Sequence, residues 1–214
     1  MNIRKEIIPA VLTDDFKTLQ KQLNILAGLT HWVSIDIMDG IFVPQKTISV
    51  EDLKKIDSII DTEIHLMTVH PERELDTANE AGVKRVVFHI EATQDPNSVL
   101  QEIAARGMKK GIAISPETSI EKIMPHADNA DMVTFLSVHP GKAGQKMISR
   151  ILTKIRKFKL AKPDVPVEID GGITLETIED AKAAGVDLFV ANSAIFGEPN
   201  AEEAIKNLRA KIQE

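Results

Sequence analysis

The feature that most restricts this chain is an alternation. Eight short β-rich runs, at 6–12, 32–38, 62–67, 84–90, 109–115, 131–138, 165–170 and 187–191, are separated by helix-forming segments with no Ser/Gly-rich linker. Apolar stripes mark several of those segments: Phe16, Leu19, Leu23 and Leu26; Met147, Ile151 and Ile155; Ala204, Ile205, Leu208 and Ile212. Thr118-x-x-Glu121 and Asn200-x-x-Glu203 read as capping boxes, and Pro96 after Asp95 suits a first helical turn. Gly28, Gly82, Gly107 and Gly185 stand where helices need a left-handed stop. Eight strand-helix units of about 25 residues predict an α/β fold, a closed (β/α)8 TIM barrel forming one domain over residues 1–214. A doubly wound open sheet is the alternative, but no G-x-G-x-x-G follows the first run.

Composition narrows the class. Aromatic residues are 4% of the chain, with one Trp and no Tyr, so the core is built from Ile, Val, Leu and Ala, as buried parallel strands are. Without cysteine there is no disulfide framework and no thiolate metal site. The apolar run within residues 1–12 is broken by Pro9 and too short for a signal-peptide core, and nothing approaches a membrane span. A net charge of −6 disfavours a nucleic-acid partner. A cytoplasmic protein, with no nucleic-acid or membrane partner and self-associating as a homo-oligomer, is expected.

Barrels of this kind keep their chemistry at the C-terminal ends of the strands. Period-2 alternation puts Ser34, Asp36 and Met38 on one face of the second run, and His65 and Met67 on one face of the third. The seventh run ends at Asp170, before Gly171 and Gly172. Either aspartate alone reads equally well as a loop-capping carboxylate. Two aspartates and a histidine at three strand ends point instead to metal coordination or acid/base work, because buried charges need partners. The loops after the seventh and eighth runs, with Gly171, Gly172, Asn192 and Ser193, are expected to bind phosphate through backbone amides. The loop carrying Gly141, Lys142 and Gly144 is expected to fold over the ligand.

Seven phrases then carry a resemblance: Pro9-Ala-Val-Leu-Thr-Asp-Asp-Phe16, Ser34-Ile-Asp-Ile-Met-Asp-Gly40, Ile64-His-Leu-Met67, Phe88-His-Ile-Glu-Ala92, Ser137-Val-His-Pro-Gly-Lys-Ala-Gly-Gln145, Ile169-Asp-Gly-Gly-Ile173 and Asn192-Ser-Ala-Ile-Phe196. In this order they resemble the ribulose-phosphate 3-epimerases over nearly the whole chain. The resemblance implies a sugar-phosphate epimerase interconverting D-ribulose 5-phosphate and D-xylulose 5-phosphate through an enediolate, within pentose phosphate metabolism. It implies Asp36 and Asp170 as the proton-moving pair and a divalent metal (Zn, Mn or Fe) on Asp36, His65 and Asp170. It further implies Met38, Met67 and Leu136 as the apolar floor, and Gly141, Gly144, Gly171, Gly172, Asn192 and Ser193 around the substrate.

Departures from the family pattern cluster at the same place. Ser34 stands where the family has a second ligand histidine, Ala10 where it has a serine, and Leu136 where it has a methionine. Gly141-Lys142-Ala143-Gly144-Gln145 replaces Gly-Phe-Gly-Gly-Gln, and Asn192-Ser193 replaces Gly-Ser. Two readings stay open: an epimerase with a three-ligand metal site, or a diverged barrel that acts on another ketose phosphate or binds one without turnover. A decarboxylase of the orotidine-phosphate type would need Asp-x-Lys-x-x-Asp on the second run; Ser34 and Asp36 stand where its first Asp and Lys would be.

Overall fold

All eight β-rich runs form strands: β1 Glu6–Val11, β2 Trp32–Met38, β3 Asp61–Met67, β4 Arg85–His89, β5 Lys109–Ile114, β6 Met132–Leu136, β7 Val167–Asp170 and β8 Leu188–Ala191. They pair in parallel in sequence order, and β8 returns to β1 to close the barrel. This is a computed structural model that describes residues 5–56 and 58–213. Residues 1–4 of the N-terminal segment 1–12 and both ends of the expected 1–214 domain therefore lie outside the described residues. β7 begins at Val167, later than expected, because Pro166 has no N–H for the ladder; its carbonyl still accepts from Val133 N at 2.9 Å. No helix among the described residues is long and apolar enough to cross a membrane.

Around the barrel run α1 Phe16–Leu26, α2 Val50–Leu53, α3 Leu75–Glu80, α4 Pro96–Ala105, α5 Ile120–Ile123, α6 Arg150–Ala161, α7 Ile178–Ala183, α8 Ser193–Phe196 and α9 Ala201–Gln213. Asp95 caps α4 ahead of Pro96, and Asn200 Oδ1 accepts from the amides of Glu202 and Glu203 ahead of α9. The four expected helix-stop glycines all have positive φ.

Two local expectations fail. No capping box forms at Thr118: Ser119 is the cap residue of the single-turn α5 without a side-chain cap bond, and the Thr118 hydroxyl goes to Glu91 instead. Met147 lies ahead of α6, which starts at Arg150; it packs on the core from the loop, and the helix buries Ile151, Leu152, Ile155 and Phe158.

Alternation along the strands creates two cores. Outward-facing Ile7, Val33, Ile35, Ile64, Phe88, Phe135 and Phe189 pack under the helices. Inward-facing Ile8, Ala10, Val87, Ala113, Met132, Leu136, Leu188 and Val190 fill the barrel. The interior also holds charge at its N-terminal end. Arg85 Nε donates to Glu63, Arg85 Nη2 lies 3.7 Å from Glu168 Oε2, and Thr134 Oγ1 donates to Glu168 Oε1 at 2.9 Å. The Trp32 ring lies over this cluster, 4.3 Å from Arg85 Cζ and 5.1 Å from Lys109 Nζ.

Candidate active site

At the C-terminal end of the barrel, strand register fixes the neighbours. Asp36 on β2 pairs with His65 on β3, Met38 pairs with Met67, and Leu136 on β6 pairs with Asp170 on β7. All of these side chains point inward. His65 Nδ1 stands 3.2 Å from Asp170 Oδ2 and 3.4 Å from Asp36 Oδ1. The imidazole therefore bridges two carboxylates that come from walls separated by β1 and β8.

The electrostatics follow from that bridge. Burial pushes the Asp36 carboxyl up, and the charge on Asp170 adds to it; the hydrogen bond with His65 opposes, leaving Asp36 at about 6. Burial alone would push His65 down. Hydrogen bonds and charge from Asp170 and Asp36 outweigh it and lift His65 to about 10. In the absence of another cation, the imidazolium is thus the positive charge between two acids.

A metal ion could take that place. One ligand atom from each of Asp36, His65 and Asp170 lies within 4.8 Å of the other two. Asp36 Oδ1 is buried and meets only the long 3.4 Å approach of His65 Nδ1, so it lacks a well-formed hydrogen bond. Two carboxylate oxygens and one imidazole nitrogen suit zinc, manganese or iron, and three protein ligands are common at catalytic zinc. The residues fit the group. Ser34 is buried one inward position below Asp36, beside Ala10 and Glu63, and contributes no ligand atom to this cluster.

One cavity gathers the remaining expected residues. Its lining includes Asp36 and Asp170, floor residues Met38, Met67 and Leu136, and Gly141, Gly144, Gly171, Gly172, Asn192 and Ser193. His65 and Ser34 do not line it; His65 sits beneath the surface that the two aspartates present. Ala10, Leu136, Lys142, Ala143 and Asn192 line it, so every departure from the family pattern except Ser34 faces the ligand space.

The two glycines after β7 are there for steric reasons. Gly171 has φ +102° and Gly172 φ +63°; a Cβ on Gly172 would stand 2.5 Å from Met147 N, and one on Gly171 2.4 Å from Val138 Cγ2. Ser137 Oγ donates to the carbonyls of Asp170 and Gly171, and Thr177 Oγ1 donates to that of Gly172 at 2.8 Å. One N–H of the Asn192 side chain is committed, because Nδ2 donates to Ala10 O at 2.8 Å and ties the end of β8 to β1. The loop through Lys142 is braced from within: Gln145 Nε2 donates to His139 O at 2.6 Å and to Lys142 O at 2.9 Å.

Residue-by-residue reading of the sequence assigned no role to the groups behind His65. His65 Nε2 lies 3.0 Å from His89 Nε2, and His89 Nδ1 lies 3.1 Å from Glu91 Oε2. The available signal was the phrase Phe88-His-Ile-Glu-Ala92 at the end of β4.

Comparison with known proteins agrees with this geometry. The model of the ribulose-phosphate 3 epimerase family matches residues 6–196. The ribulose-phosphate 3-epimerase of Schizosaccharomyces pombe is 34% identical, covering 98% of this chain and 95% of its own. That of Mycobacterium bovis is 37% identical over 95% of this chain and 91% of its own, and that of Bacillus subtilis 32% over 95% and 98%. Among solved structures, 3-hexulose-6-phosphate synthase superimposes with a TM-score of 0.72 at 18% identity, covering 97% of this chain and 99% of its own. Orotidine 5'-phosphate decarboxylase from Pyrococcus horikoshii does so at 0.69 and 12%, covering 97% and 99%. At such identities the structures speak for the barrel alone. The sequence relatives and the family model carry the assignment: the chain belongs to the ribulose-phosphate 3 epimerase family.

Proposed function

We propose that the protein interconverts D-ribulose 5-phosphate and D-xylulose 5-phosphate by passing one proton between the two faces of C3, with Asp36 and Asp170 as the acid/base pair. Family membership makes it a sugar-phosphate epimerase, an enzyme of the isomerase class; the pentose and the residue roles are the finer part of the proposal. The observation that supports it most is that two carboxylates from separated walls reach one cavity, on one histidine, beside the glycine loops.

The chemistry suits those residues. One aspartate takes the proton from the carbon beside the ketone, and the other returns a proton to the opposite face. Their different settings, Asp36 buried and Asp170 half-buried, let one be acid while the other is base. Met38, Met67 and Leu136 form an apolar floor that keeps water from quenching the flat enediolate. A divalent cation held by Asp36, His65 and Asp170 would supply positive charge for the oxygen that turns negative as the proton leaves. Gly172 and Ser193 are the proposed phosphate contacts, with Lys142 close enough to the same cavity to add a cation. The same reading makes the chain one domain and the protein a cytoplasmic homo-oligomer.

A second reading has one specific support. Ala10 and Ser34 are register partners, so two departures from the family pattern alter one spot on the inner wall. That favours a changed ketose phosphate rather than lost binding. Proton NMR in D2O with metal-supplemented protein separates the two readings. Deuterium entering C3 of ribulose 5-phosphate together with xylulose 5-phosphate signals, both lost in Asp170→Asn, is the expected result. Exchange on a different ketose phosphate and none on ribulose 5-phosphate would replace the pentose assignment.

A further inference from the structure

The groups behind His65 determine which of its nitrogens is free. Glu91 Oε1 accepts from Ser115 N at 2.9 Å, and Glu91 Oε2 lies 3.1 Å from His89 Nδ1, which Ser115 Oγ also approaches at 3.3 Å. An ionised carboxylate has no proton to give, so His89 carries its proton on Nδ1. Neutral His89 then has a bare lone pair on Nε2, 3.0 Å from His65 Nε2. Two lone pairs cannot face each other at that distance, so His65 Nε2 carries a proton. The remaining nitrogen of a neutral His65, Nδ1, is left as a lone pair aimed between Asp36 Oδ1 and Asp170 Oδ2.

We infer that His89 and Glu91 are positioning residues that commit His65 to its Nε2–H tautomer and so present Nδ1 as a ligand for a divalent cation between the two aspartates. This rests on the reading of Asp36, His65 and Asp170 as a metal site. His89 is fully buried, and Phe42 packs on its ring with centroids 4.9 Å apart, so the ring cannot swing to another partner. Partners that hold the far nitrogen of a ligand histidine usually end in a carboxylate or a carbonyl. Here the carboxylate acts through a second imidazole, one residue removed from the metal.

The test uses the full chain labelled with 15N in its histidine rings, read by long-range proton–nitrogen correlation, together with zinc titration. In the zinc-free protein His89 is expected to show a protonated Nδ1 and a bare Nε2, whether or not His65 is doubly protonated. With zinc, His65 is expected to keep its Nε2 proton while Nδ1 shifts on coordination. His89→Phe keeps the ring volume and removes both hydrogen bonds; zinc affinity should fall by about 10- to 100-fold. His89→Gln, whose carbonyl can accept from His65 Nε2–H, should recover part of the loss. A protonated Nε2 on His89 in the wild type, or unchanged zinc affinity in a folded His89→Phe, would overturn the inference. Should the wild type bind neither zinc nor manganese, the metal reading itself fails. The ring spectra of the same sample still decide whether Glu91 sets the tautomers.

Discussion

At the mouth of the barrel Asp36 and Asp170 flank His65; at its base Glu63 and Glu168 flank Arg85. Both ends bury two acids and one basic side chain on the inner face, and both draw on β3 and β7. They differ in the base and in what covers it. An imidazole can hold or release its proton and can give up its place to a metal, whereas a guanidinium keeps its charge throughout. The mouth opens into a glycine-lined cavity; the base lies under Trp32. In the proposed function the same charge pattern serves reaction at one end, and it packs the closed base at the other.

If the two ends differ in this way, Asp36→Asn should have the largest effect. It should lower kcat by about a thousandfold, or ~4 kcal/mol of activation barrier, while the melting temperature stays level or rises. Steady-state kinetics with thermal melting would read both. A variant that keeps its turnover would remove Asp36 from the proton transfer.

At the base the expectation inverts. Arg85→Met leaves Glu63 and Glu168 buried without their cation, although burial and the charge of Glu63 already push Glu168 up towards its neutral form, and should cost ~3–5 kcal/mol of stability by denaturant unfolding, with kcat per folded molecule unchanged. Replacing Glu63, Arg85 and Glu168 together by apolar residues should recover most of that loss. If the triple replacement is the worse one, the buried cluster adds net stability over an apolar packing of the same space.

Gly172→Ala comes next. Its Cβ would meet Met147 N at 2.5 Å, so the loop must move, and KM for the ketose phosphate should rise about tenfold, ~1.4 kcal/mol, with a smaller change in kcat. An unchanged KM would place the phosphate elsewhere.

Ser34→His probes the mouth in the opposite sense, by adding an imidazole beside Asp36. Imidazole is a far better ligand for zinc or manganese than a hydroxyl, so metal affinity should rise about tenfold and activity on ribulose 5-phosphate with it. Tighter metal binding with no gain in epimerisation would favour a changed substrate. Full loading and equal activity in the wild type would show that three ligands suffice.

The smallest effect belongs to neither end. Asp52 sits in the capping box of α2 and is held down to about 2, first by the hydrogen bond from Lys55 and then by those from Ser49. Its folded pKa lies below the ordinary 3.8, so its contribution is present above pH 3.8 and is lost as pH falls through about 2. Asp52→Asn should therefore cost less than about 1 kcal/mol at neutral pH, with the gap to the wild type closing in acid. A gap that persists below pH 2 would assign the effect to packing.

The mouth was largely legible in the sequence because its residues lie near the C-terminal ends of strands and Asp170 is followed by two glycines. Asp170 closes its β-rich run and Asp36 and His65 each stand two residues before the end of theirs, and alternation gives the face of its strand that each occupies. The base was not legible. Lys84 and Arg85 read together as polar residues at a strand entrance, and only barrel closure brings Glu168 within reach of Arg85. His89 and Glu91 escaped for a related reason: they stand together in the phrase Phe88-His-Ile-Glu-Ala92, but their link to His65 crosses strands and that phrase alone does not point to it. Thr118 and Met147 show the opposite failure, where a local pattern existed and a tertiary partner overruled it.

Trp32 is the single tryptophan of a chain without tyrosine, and it lies over the cations at the base. Intrinsic fluorescence is therefore a reporter of one end only. A ligand entering the cavity beside Asp36 and Gly172 does so at the opposite end of the strands and should leave the emission nearly unchanged. Loss of the Arg85 cluster or opening of the barrel base should shift it strongly. An optical titration that stays flat on adding a sugar phosphate would thus say nothing about binding, and a shift in emission would signal that the far end of the barrel had moved.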